Sequence, residues 1–352
     1  MRALITSVFC LTAFLSCLGQ TADTATPGLP KDPRAIFAAA APFYNFNDAT
    51  LKPWHLKATY QLYDEKGKPS VQGTYEYWWV SPKVHRSTWT RPDATRTDWY
   101  TADGTHSFKV TGERLKFFER GLESALFSPL PGKAALDSDK IRLDLQEKSS
   151  KGVNFPCVSL TQLSQQAQMI NVLPNFLSTY CFDPQLPVLR LSFTYGSVTT
   201  HFNNIAKYQN RFLAREILIS GLEQKLFSAK VDAVGDLDSS DPELTPALDA
   251  TLVNTAKVQI PSGVAVGMLI KKQFPVYPDL AKRLNQQGTV VIQGTIGTDG
   301  KVHNQEVLVA PSELLADAAM EAVSHWQYKP YLLNGQPVEV ETTINVIFTL
   351  GH

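Results

Sequence analysis

The sequence has no surplus charge of either sign. Lys plus Arg and Asp plus Glu both total 33 in 352 residues, for a formal net charge of zero. A nucleic-acid partner is therefore not expected, because displacing counterions from phosphates needs a basic stripe. There is no acidic tail, no long charge run and no internal repeat. The chemistry of enzymes is equally missing: no nucleophile elbow, P-loop, HExxH or GxGxxG occurs. Seven histidines, at 55, 85, 106, 201, 303, 325 and 352, are scattered, and none pairs with another at metal-ligand spacing. His325 closes a helix and reads as a dipole-stabilised residue. Asp98 and Asp103 have no evident partner in sequence. No catalytic residue, metal or cofactor is expected.

Cysteine is scarce, with four in the chain. Cys10 and Cys17 fall in an apolar run, Ala3 to Leu18, that follows Arg2 and precedes a small, polar stretch ending at Pro30. The run is shorter than the ~20 residues a spanning helix needs. It reads as a secretory signal peptide over residues 1–19, cleaved before Gln20. That predicts an exported, periplasmic protein. The alternatives are an inner-membrane anchor through residues 3–18 and, after that, a lipid on Cys17. Cys157 and Cys181 then remain, and two cysteines in an oxidising compartment predict one disulfide. No CxxC and no nearby histidine support a metal pair or a reactive thiol.

What is present is a globular balance, 43% hydrophobic and 19% charged, organised mainly as strands. A short helix is expected over Pro33 to Ala41. From Trp54 the period is two, with Leu56, Ala58, Tyr60 and Leu62 alternating with polar neighbours. Further strands are expected at Val71–Val80, Val84–Thr90, Arg96–Thr101, Thr105–Val110, Ile141–Leu145, Val158–Leu163, Val188–Tyr195, Val198–Ile205, Phe212–Ile219 and Leu226–Val234. Asp103-Gly104 is a two-residue hairpin signal. Glu119 to Leu130 and the region of Met169 to Phe176 read as helical or irregular interruptions. This succession implies an antiparallel meander over residues 20–235. Asp236 to Pro246 is acidic and proline-bearing, a linker signature that sets a boundary at 236–257 before a second domain, 258–352. With its early aromatic strands, the first domain resembles the outer-membrane lipoprotein carrier proteins of the LolA/LolB-like group. The resemblance implies a curved sheet, a half-barrel wrapped round helices, with an apolar ligand inside; ordinary core aromatics are the competing reading of Tyr75, Tyr77, Trp79 and Trp89.

The last ninety residues carry a denser signature. Tyr277-Pro278 enters a helix over Asp279 to Gln287, with Leu280 and Leu284 on one face and Gly288 as its left-handed cap. A strand from Thr289 to Ile296 turns at Asp299-Gly300 into Val302–Val309. Leu315, Ala319, Ala322, Val323 and Trp326 recur at helical spacing. Trp326-Gln327-Tyr328-Lys329-Pro330 and Asn334-Gly335 lead into a final strand, Val338 to Leu350. This helix–strand–strand–helix–strand order with these landmarks resembles the TonB C-terminal family. The resemblance implies a small α+β module that binds an outer-membrane receptor or other envelope protein as an added strand along its last strand. Here that partner-binding segment is Thr342, Thr343, Ile344, Asn345, Val346, Ile347, Phe348 and Thr349. The chain departs from full energy transducers, since Ala3 to Leu18 holds no histidine and a folded β domain replaces the long Pro/Lys/Glu-rich spacer. The two expected readings are thus an envelope docking protein linked to transmembrane transport, and a lipid or lipoprotein carrier that uses the same module to dock.

Overall fold

The computed structural model describes residues 28–64, 66–139, 141–150, 152–162, 176–194, 198–221, 224–253, 258–333 and 335–350. The expected signal peptide and anchor, with Cys10 and Cys17, lie outside the described residues, as do most of the stretch expected as an interruption near Met169 and the Asn334 half of the turn.

The first domain is one antiparallel sheet. Its strands are β1 (Trp54–Tyr63), β2 (Pro69–Ser81), β3 (Val84–Arg91), β4 (Ala94–Tyr100), β5 (His106–Gly112), β6 (Ile141–Ser150), β7 (Val153–Gln162), β8 (Phe176–Phe182), β9 (Leu189–Thr194), β10 (Val198–Tyr208), β11 (Arg211–Gly221) and β12 (Gln224–Asp236). Two meanders meet at its centre, where β1 pairs with β12, giving the order β5-β4-β3-β2-β1-β12-β11-β10-β9-β8-β7-β6. Register breaks at Lys57/Ala58, Trp79/Ser81 and Ile219/Ser220 add bulges, which increase local twist and bend a sheet. β8 is a strand that sequence reading missed.

The period-two reading of β1 holds residue by residue. Trp54, Leu56, Ala58, Tyr60 and Leu62 are buried on one face. That face receives the helix Pro33–Ala40, capped by Asp32 Oδ1 accepting from Ala35 N at 2.8 Å, and the helix Phe117–Phe127. Phe127 is driven among Trp54 (5.0 Å between ring centroids) and Tyr77 (4.8 Å). Trp54 in turn stacks on Tyr77 and Trp79. Cys157 and Cys181 sit opposite each other on β7 and β8 and are disulfide-bonded, with Cα atoms 4.0 Å apart. Closing that loop contributes about 3 kcal/mol in the chain-entropy view.

The segment after β12 is tied to the outer face of the first sheet. Leu237 N donates to Pro53 O, and Trp99 Nε1 donates to Glu243 O at 3.1 Å. The Arg86 guanidinium bonds Glu243 at 2.6 Å and lies 4.0 Å over the Trp78 ring. A short strand, β13 (Thr251–Leu252), then pairs with β5.

The second domain opens with β14 (Val258–Gln259), the helix Ser262–Gly267 and β15 (Leu269–Lys271). Its core elements are the helix Asp279–Arg283, β16 (Gly288–Ile296), β17 (Val302–Val309) and the helix Glu313–Ser324. The strands β18 (Gln327–Tyr328), β19 (Tyr331–Leu333), β20 (Gln336–Val338) and β21 (Val340–Phe348) complete it. One sheet has the order β14-β21-β16-β17. Against it lies the Glu313–Ser324 helix, capped by Ser312 Oγ accepting from Leu315 N. Leu315, Ala319, Val323 and Trp326 join Val290, Ile292, Ile344 and Val346 in a common core. The Asp279–Arg283 helix ends earlier than expected, and its left-handed residue is Asn285 (φ 50°) rather than Gly288. Gln286 N reaches back to Ala281 O and Asn285 N to Lys282 O, the paired bonds of a Schellman ending. Gly288 instead begins β16.

Candidate docking edge

β21 is paired along its whole length on one side only. Its partner there is β16, in unbroken register from Val340 opposite Ile296 to Phe348 opposite Gly288. On the other side, β14 covers Val340 and Glu341 in parallel, and Ile260 N donates to Glu341 O at 3.0 Å. Beyond Glu341, no described strand pairs with that side.

Strand parity then fixes which groups the open side offers. In an extended strand the N–H and C=O of one residue point the same way, and the direction alternates. Glu341 O is bonded on the β14 side, so Thr343, Asn345 and Ile347 present N–H and C=O to the open side. Val340, Thr342, Ile344, Val346 and Phe348 face β16. A bond at the far end agrees, because Leu350 N meets Gln287 Oε1 at 3.4 Å on the β16 side. Thr349 lies just past β21. Side chains alternate as well: Thr342, Ile344, Val346 and Phe348 are buried, while Asn345 and Ile347 are exposed.

The opposite edge of this sheet is built differently. β17 carries two register breaks against β16, a left-handed Asn304 (φ 48°) and the charge of Glu306. Bulges and charges are how sheets discourage pairing at an edge. From Thr342 to Phe348, β21 carries no bulge against β16, no charge and no proline.

The side chains singled out for chemistry are engaged in local pairs. His55 bonds Glu76, His106 bonds Asp98, His201 bonds Ser220, His303 bonds Asp299 and His325 bonds Glu321. Burial holds His85 down at about 4. Asp98, which showed no partner in sequence, accepts from Arg96 Nε and Nη2 at 2.6 and 2.8 Å and also bonds His106. Asp103 accepts from Thr101 and Thr105 in its turn. Among the described residues no cluster of His, Cys, Asp and Glu could hold a metal ion. No helix among them is long and apolar enough to cross a membrane.

The helix-bearing face of the first sheet carries the aromatic packing around Phe127. A cleft of about 510 Å³ lies on the opposite face, over polar side chains including Thr59, Gln61, Gln72, Glu216 and Lys230. Beside this packing, burial pushes the Glu123 carboxyl up to about 7, against the lowering effect of the Tyr75 hydroxyl that donates to it at 3.1 Å. The folded protein therefore holds this proton more tightly than the unfolded chain does. Stability should fall as pH rises from about 4.5 to about 7, and stay at its lower level above that. Glu123→Gln should be more stable than wild type by about 1–2 kcal/mol at pH 8 and indistinguishable near pH 4.5. Denaturant melts at the two pH values test this; equal stability at pH 8 would contradict it.

Residues 273–350 match the family model described as the Gram-negative bacterial TonB protein C-terminal. A TonB protein of Vibrio cholerae serotype O1 is 31% identical over 77 residues, which are 22% of this chain and 32% of that protein. The chain thus spans about a third of the length of the curated relative it matches. The solution structure of the Pseudomonas aeruginosa TonB C-terminal domain is 26% identical, covering 24% of this chain and 86% of that one, with a TM-score of 0.22. A LolA superfamily protein from Nitrosomonas europaea is 10% identical, covering 61% of this chain and 97% of that one, with a TM-score of 0.33. A putative outer membrane lipoprotein-sorting protein domain from Vibrio parahaemolyticus is 9% identical, covering 56% and 90%, with a TM-score of 0.28.

Proposed function

With residues 273–350 taken as a TonB C-terminal domain, we propose that this chain is a periplasmic, non-catalytic docking protein that captures an extended segment of an envelope partner as an added strand on β21. The partner class is an outer-membrane receptor or transporter, and the role is in transport across that membrane. The observation that carries the reading is the contrast between the two edges of one sheet. β17 is bulged and charged, whereas β21 offers the N–H and C=O groups of Thr343, Asn345 and Ile347 with nothing to deter a partner. Main-chain bonds at these residues supply affinity, and the exposed Asn345 and Ile347 side chains supply selectivity.

Amide hydrogen exchange on the full chain tests the mechanism. The Thr343, Asn345 and Ile347 amides should exchange fast in the free protein and slow on addition of envelope partner captured by the chain. The Thr342, Ile344 and Val346 amides should be protected in both states. Protection unchanged at the first three on binding would sink strand addition at this edge.

A further inference from the structure

The two cores share a boundary. The five-residue helix Asp279–Arg283 sends consecutive residues into different cores. Ala281 belongs to the second domain, whereas Leu280, 1% exposed, packs into the first. Leu280 Cδ2 lies beside Gly221, where a Cβ would stand 3.9 Å from it, at the same spot that receives Leu226 and Val198. Leu284 and Leu314 of the second domain flank it against the first core. A second contact lies at the helix Phe117–Phe127. Arg114, just before it, reaches Asp317 Oδ1 at 3.7 Å and Glu321 Oε2 at 3.6 Å, and donates to Asp317 O at 3.3 Å. Arg120 Nη2 sits 2.9 Å from Met320 Sδ.

We propose that the second domain is latched to the first by this apolar peg and arginine clasp. Three observations support it. The peg removes leucine surface from water, a stronger contribution than the half-exposed ion pairs of the clasp. The clasp in turn sets orientation, because Asp317 and Glu321 are one helical turn apart and face a single guanidinium. The connection is also short: the chain is fastened to the first sheet as far as Val253, whose N–H donates to His106 O, and resumes as a strand at Val258. So brief a tether keeps the local concentration of one domain near the other high. The latch uses the helical layer of the second domain, at the Asp279–Arg283 and Glu313–Ser324 helices. This inference is independent of strand addition.

The test uses the full chain in solution scattering and thermal unfolding. Wild type should scatter as one compact particle and unfold in one transition. Leu280→Asp with Arg114→Glu should give an expanded particle and two transitions, with the β21 amide resonances unchanged. Arg114→Glu alone should weaken the coupling, and adding Asp317→Arg and Glu321→Arg should restore it. Two independent transitions in the wild type would overturn the latch. So would an unchanged scattering profile in the double variant, or a failure of the compensating charges to restore coupling.

Discussion

Proline at Ile347 should weaken partner capture about tenfold or more and leave both domains folded, whereas proline at Val346, one residue earlier, should strongly destabilise the second domain. The two sites differ in which way the N–H points and in whether the side chain is buried. At Ile347 it faces the open side, so the ring removes a donor that only a partner uses and stands where the partner's backbone must lie. A lost ladder bond with a steric clash should cost at least about 1.4 kcal/mol, a tenfold weakening or more. At Val346 the N–H belongs to the ladder with Val290, and the side chain is 4% exposed. Proline there leaves a buried carbonyl of β16 without its donor and opens the core, a loss on the order of 3 kcal/mol. Circular dichroism of both variants, with affinity for captured partner measured on the folded one, checks the pair. Binding at wild-type strength by folded Ile347→Pro would remove the open edge from the mechanism.

Parity of that kind is not legible in a sequence. Alternation of Ile344, Val346 and Phe348 with Asn345 and Ile347 tells which side chains enter the core, and the buried set follows that reading. The direction of each N–H depends on what stands beside the strand, and here it is fixed by Ile260 donating to Glu341, a contact between residues far apart in the chain. Proline at Val346 strikes the side of the strand that faces β16. Leu280 shows the same limit. Helical spacing correctly marks it as apolar-facing, yet the core that buries it is the other domain's. The strands of the first domain were legible from Trp54 onward because period two coincides with burial on one face. β8 was not, since Phe176, Leu177, Tyr180, Cys181 and Phe182 do not alternate with polar residues. Acidic, proline-bearing composition marks Asp236 to Pro246 as a connection. It does not show that Arg86, Trp78 and Trp99 on the first sheet hold Glu243 in place.

Glu119→Ala should be the most damaging single change in the first domain. Glu119 is fully buried, and three donors converge on its carboxylate. Tyr60 Oη bonds it at 2.6 Å, Arg91 Nη1 at 2.8 Å and Lys116 N at 2.7 Å. The last of these caps the Phe117–Phe127 helix, since Glu119 occupies its third position. Truncation leaves the Arg91 charge, itself almost wholly buried, with Asp93 as its remaining acid at 2.7 Å. It also leaves the Tyr60 hydroxyl without its acceptor in an apolar site, and frees the first turn of the helix. Breaking a buried pair from one side costs about 3–5 kcal/mol, a large share of a domain's total of roughly 5–15 kcal/mol. The pair as a whole need not be stabilising: replacing Glu119 and Arg91 together with apolar residues of similar volume should cost much less than losing Glu119 alone. The same helix bears Arg120 and packs beside Met320, so Glu119→Ala should also loosen the second domain. Urea denaturation of the two single variants and the double variant gives the coupling directly. A Glu119→Ala loss below about 1 kcal/mol would mean that the buried carboxylate contributes no more than an exposed pair.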